Sequence, residues 1–180
     1  VRFKNIIKPV FDKLDFEELE DEKYLTTSLH YYERGYYVKQ DYYNGINTAY
    51  LYVTKALLSK KKEEQINIWS NYGQAKKIWK EIISKWESLL TTKTFEKRGD
   101  KIWVYLTLAE AYLGISNNKK EHEYLELVSN FPDSGFAINS YQEQKNKLTP
   151  MIYELINQRL RMYCIKTFVI YNIKFFNCRH

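Results

Sequence analysis

The chain has 180 residues, enough for one ordinary domain with a sizeable buried core, and its six glycines and three prolines exclude a loop-rich fold. Its 17 tyrosines, nine phenylalanines and four tryptophans supply apolar area with polar handles, while two cysteines give no disulfide framework. The formal charge is +6, but acids and bases interleave along most of the sequence, so charge alone marks no nucleic-acid face.

Residues 1–23 read as a lead-in that begins mid-pattern, as the end of a preceding domain would, with an apolar stretch stopped at Pro9 and the acidic run DFEELEDEK after it. From Tyr24 the pattern turns helical: Leu25, Leu29, Tyr32 and Tyr36 fall at i, i+4, i+7 and i+11, one stripe of a helix. After a break at KQD, the spacing returns in Ile46, Ala49, Tyr50, Val53, Ala56 and Leu57. Lys60-Lys61-Lys62, answered at once by Glu63-Glu64, reads as a solvated connector, with a nucleic-acid or membrane contact as the alternative. Ala75, Ile78, Trp79, Ile82, Ile83, Trp86, Leu89 and Leu90 form the cleanest stripe in the chain.

RGDKIWVYLTLAEAYLG predicts a fourth helix, with Asp100 near its N-cap and Gly114 as its stop, and NNKKEHEYLELVSNF a fifth that ends at Pro132. Asp133 and Ser134 can cap a sixth, which Pro150 would kink or restart, so residues 133–162 are expected as a C-terminal packing helix. Residues 163–180 are an apolar tail, the one stretch with strand-like composition. There Cys164 reads as an inert thiol, with a bridge to Cys178 as the alternative, and Lys166 and Lys174 leave the apolar run too short to cross a bilayer.

Helix pairs at regular intervals call for a repeat comparison. VYLTLAEAYLGISNNKKEHEYLELVSNFP places Tyr105, Leu108, Ala109 and Tyr112 on a first helix and Leu125 and Val128 on a second, closed by Pro132. Leu29 through Tyr52 fits in the same way with Tyr36, Tyr42, Gly45 and Ala49, and NYGQAKKIWKEI adds Tyr72, Ala75, Trp79 and Ile82. The chain thus resembles a degenerate tetratricopeptide array over residues 24–132, departing at Glu121, where the pattern asks for alanine. The resemblance implies an all-α fold of antiparallel helical hairpins stacked as a right-handed superhelix. YYNGINTAYL followed by WVYLTLAEAYLG is also similar to the tetratricopeptide-type TRAF-binding domain family, related to the regulatory region of apoptosis signal-regulating kinases. That similarity implies a signalling or assembly scaffold without catalysis in this segment.

Gly45, between Asn44 and Ile46-Asn47, takes the small-residue position of the repeat, where two helices approach most closely; Ala49, Ala75 and Ala109 hold equivalent close-packing positions. On this reading Gly45→Ala is tolerated and Gly45→Leu overpacks the hairpin. The competing reading is a left-handed turn that serves a ligand.

Little in the sequence asks for catalysis. There is no glycine cluster ahead of a helix and no nucleophile elbow, and His30, His122 and His180 are scattered without metal-ligand spacing. The expectation is therefore no enzyme, no cofactor and no metal. In tetratricopeptide arrays the first helices line a concave groove, and beside the core stripes this geometry points Thr27, His30, Arg34 and Tyr37 from one unit, and Trp103, Leu106, Glu110 and Leu113 from another, into it. The alternative is that the sixth helix or the tail fills the groove and makes those residues core. The expected role is a cytoplasmic adaptor that binds another protein or another domain of its own polypeptide, with a nucleic-acid-binding repeat as the second possibility and no membrane partner.

Overall fold

The structure is a computed structural model that describes the backbone of residues 19–132 and 134–177 and the side chains of residues 22–132 and 134–162. Within those bounds the chain is all-α, without a strand. In order the helices are α1 (Leu19–Lys39), α2 (Tyr42–Lys61), α3 (Gln65–Leu90), a single turn α4 (Lys93–Glu96), α5 (Lys101–Gly114), α6 (Asn118–Ser129) and α7 (Gly135–Asn177). The lead-in before residue 19, the cap expected at Asp133, and the side chains of Cys164, Cys178 and His180 lie outside the described residues.

Tight connections make successive helices antiparallel. Between α1 and α2 the chain reverses over Gln40, at φ 49°, and Asp41, whose carboxylate caps α2 by accepting from the Asn44 N–H at 2.7 Å and from its amide Nδ2 at 2.6 Å. Between α2 and α3 it reverses at Glu63, φ 59°. Lys60 and Lys61 belong to the last turn of α2, and only Lys62 caps it, so the lysine run is mostly helix and not loop. Its cations suit the negative end of that helix, and Lys60 and Lys62 pair with Glu154 and Glu22.

α2 packs most extensively on α3, α5 on α6, and α1 on α2, with Tyr36 of α1 also reaching Glu81 of α3. The unit read from Leu29 to Tyr52 therefore joins α1 to a helix whose larger partner is α3. One core runs through the molecule and is built around Trp79, Ile78, Ile82, Leu108, Leu148 and Leu155, all almost completely shielded. A smaller cluster of Leu25, Leu29 and Leu51 fastens α1 to α2.

Glu121 explains where the repeat pattern fails. It is buried, and its carboxylate accepts from the Tyr141 hydroxyl and the Lys145 ammonium of α7, each at 2.6 Å. The residue that replaces alanine is thus the tie to the C-terminal helix. Pro150 neither ends nor restarts that helix. It is exposed, and the missing N–H costs one bond while Leu148, Ile152 and Leu155 anchor the flanking turns in the core. The same helix continues to Asn177, across the boundary drawn at residue 163 and through the stretch with strand-like composition.

Gly45 is helical and buried, with no positive φ, which removes the left-handed turn. A Cβ there would lie 2.7 Å from Cε2 of Tyr36, 2.9 Å from its Cδ2 and 3.1 Å from Cδ1 of Ile82. The tyrosine ring cannot swing aside freely, because it is buried and its hydroxyl donates to Glu81 at 3.1 Å. Alanine is therefore not the mild change that the repeat position suggested. Gly45→Ala should lower stability by about 1–3 kcal/mol despite its better helix propensity, and thermal melts will show it; an unchanged melting temperature rejects the close approach.

Candidate interaction surface

The eight residues expected to line a groove divide into two groups. Thr27, His30, Arg34 and Tyr37 stand exposed on α1. On α5, Leu106, Glu110 and Leu113 are buried at 4%, 7% and 7% exposure, while Trp103 keeps 37%. The reason is α7, which packs against both α5 and α2. Phe136 meets the Trp103 ring edge-on with centroids 6.4 Å apart, Gln144 hydrogen-bonds the Glu110 carboxyl, and Lys60 of α2 pairs with Glu154. The α5 side of the expected groove is therefore interior, roofed by the chain's own C-terminal helix.

Glu110 pays for that position. Burial pushes its carboxyl up to about 8, against the hydrogen bond from Gln144, and its Oε1 has no partner. Asp100, expected near the cap of α5, makes no capping bond. Its carboxylate is held by Arg98 at 2.7 and 2.6 Å and by the Tyr42 hydroxyl at 2.9 Å, and these partners, the arginine foremost, keep it below the usual carboxylate range. Arg98 in turn lies 5.3 Å from the Trp86 ring, which meets Tyr42 edge-on, so this cluster pins α2, α3 and the start of α5 together. Glu87 does the same for the second hairpin by accepting from Tyr112 and Tyr124, both at 2.7 Å.

Of the close-packing positions, Ala49, Ala75 and Ala109 are completely shielded. His122 pairs with Glu126 at 3.2 Å on the exposed side of α6, far in sequence from His30. Among the described residues no group of three or more His, Cys, Asp or Glu is placed to hold a metal ion, and no helix is long and apolar enough to cross a membrane.

Sequence reasoning missed an exposed apolar stripe on α1. Tyr24, Tyr31 and Val38, at 53%, 61% and 75% exposure, recur every seven residues and so share one side of α1, next to His30 and Arg34. The signal was present as a second stripe beside the buried Leu25–Leu29–Tyr32–Tyr36 stripe, but aromatic residues on a helix read first as core.

A family model described as Tetratricopeptide Repeats-Sensor matches residues 5–52, which takes in α1 and the first half of α2. The match supports a tetratricopeptide-like family. Residues 53–180 lie outside it. No curated protein and no solved structure matches the chain.

Proposed function

We propose that this chain is a non-catalytic protein-interaction module, an adaptor that seats another protein, or another domain of its own polypeptide, on the outer face of α1. The observation that carries this reading is the exposed stripe of Tyr24, Tyr31 and Val38, flanked by His30, Arg34 and Tyr37 on a helix that packs chiefly on α2. Aromatic rings and arginine are the side chains that concentrate binding energy at protein interfaces, and a monomer gains nothing by leaving them in water. With the α5 face occupied by α7, the exposed stripe of α1 is the apolar face that remains beside the expected groove residues. The tetratricopeptide-like family supports an interaction role. The similarity of YYNGINTAYL and WVYLTLAEAYLG to TRAF-binding relatives adds the signalling sense, and the cysteine usage a reducing, cytoplasmic setting.

A photo-crosslinking residue placed at position 31, with a second variant carrying it at position 119 on α6, tests the assignment in cells of the source organism. Position 31 should give one discrete protein adduct, and Tyr24→Ala with Val38→Ala should abolish it, while position 119 gives none. Adducts of equal yield from both positions, or adducts to nucleic acid, would sink the proposal.

A further inference from the structure

Between the C-terminal turn of α1 and the outer face of α3 lies a cleft of about 800 Å³, within the roughly 300–1,000 Å³ of small-molecule sites. Lys76, Lys77, Lys80 and Lys85 line it, with Tyr37 on one wall and Glu81 the one acidic residue of its lining. The lysines come together because α3 buries Ala75, Ile78, Trp79, Ile82 and Trp86 in the core, so positions 73, 77, 80 and 84 face the other way.

The charges in the cleft are unevenly matched. Glu81 is already engaged by the Tyr36 hydroxyl at 3.1 Å and by Lys77 at 3.8 Å. Lys85 is held at the rim by the Gln40 carbonyl at 2.6 Å. Lys76 lies 4.6 Å from the centre of the Tyr72 ring, and burial, then Arg159 and Lys80, hold its ammonium below the usual lysine range. Lys76, Lys77 and Lys80 thus line one concavity whose lining holds a single carboxylate, and that carboxylate is already shared.

Gly73 supplies an independent observation. It sits in the interior of α3, exposed, without positive φ, and a Cβ there would meet nothing within 4 Å. Packing gives no reason for glycine at a position where it costs the helix about 1 kcal/mol against alanine. Its effect is to leave the cleft open one turn before the lysines.

We propose that this cleft binds an oligophosphate group, free or carried on a small organic molecule, between Lys76, Lys77 and Lys80. Several lysines lining one concavity suit a compact, multiply charged anion with oxygens on all sides. A nucleic-acid strand would need a basic track long enough for about 4–16 nucleotides, and Lys76 to Lys80 span little more than one helical turn.

The test is calorimetric titration of the whole 180-residue chain with sodium tripolyphosphate at low salt. The wild type should show one saturable site. Lys77→Glu with Lys80→Glu should weaken it by roughly tenfold or more, and Gly73→Leu, at an exposed position that leaves the core untouched, should do the same by filling the cleft. Lys93→Glu with Lys119→Glu, an equal change of charge elsewhere, should leave affinity within about twofold, since distant exposed charges are screened. Absence of saturation in the wild type, or an equal loss in this control pair, overturns the proposal. So does a thymidine oligonucleotide whose affinity grows with length and survives Gly73→Leu, because recognition then lies along a strand. Tyr37→Ala separates the two sources: it weakens a triphosphate ester bearing an aromatic ring if the group is carried, and changes neither probe if the oligophosphate is free.

Discussion

Replacing Trp79 by alanine should destabilise the domain by about 3–5 kcal/mol, the range for deleting a large buried aromatic. Among the described residues Trp79 is the largest fully buried side chain, and it sits at the centre of the α3 stripe. Its indole lies flat against Gly114, where a Cβ would meet the ring, with Cε3 at 2.5 Å. Gly114 is thus more than the stop of α5: it is the floor on which α3 rests. Gly114→Ala should therefore cost about 1–3 kcal/mol by overpacking, although alanine is the better helix former. The two losses should not add. Trp79→Phe shortens the ring and removes the buried, unpartnered Nε1, so combined with Gly114→Ala it should lose clearly less than the sum of the single variants. Denaturant titrations of the three variants decide the matter, and strict additivity would mean that the two residues do not share the contact described.

The second large effect is in pH. Burial holds the carboxyl of Glu110 at about 8 in the folded chain against an ordinary 4.5, so between these the folded chain keeps a proton that the unfolded chain has released. Stability contributed by this group is complete below about pH 4.5, falls as pH rises through the interval, and is gone above about 8. The full swing is on the order of a few kcal/mol, at about 1.4 kcal/mol for each pH unit of displacement. Glu110→Gln keeps the shape and removes the titration. Its melting temperature relative to wild type should be nearly level at pH 4.5 and rise progressively toward pH 9, where wild type buries an ionised carboxylate beside a single donor. A difference that stays constant from pH 4.5 to pH 9 refutes this account of the buried acid.

The helices were legible because their core stripes are local: Leu25–Tyr36 and Ala75–Leu90 need only a period near 3.6 to be seen. The first six residues of α3, Gln65–Ser70, escaped, since Asn67 is a poor helix former and only Ile68 is buried there. That α5 carries two apolar faces was also legible, and it demanded a cover. What covers it was legible only as one of two readings, the sixth helix or the tail against an open groove, because Phe136 and Gln144 stand 33 and 34 positions after Trp103 and Glu110 and Pro150 suggests a break in the very helix that supplies them. The severity of the Gly45 and Gly114 contacts, and the meeting of Tyr37 with the lysines of α3, depend on which ring or ammonium arrives from another helix. No spacing along a single helix encodes that.

The carboxylate of Glu121 gives the C-terminal helix a fixed register. Two apolar helix faces can slide past one another by a turn, about 5.4 Å, and still bury similar area. Glu121 forbids the slide, for a shift of one turn would carry Tyr141 and Lys145 out of reach and strand a buried charge, which is far costlier than the lost packing. A swap of α7 between two copies of the chain would have to restore the same three-way match of hydroxyl, ammonium and carboxylate. The helix therefore has one seat, and α6 and α7 should lose their hydrogen-exchange protection together.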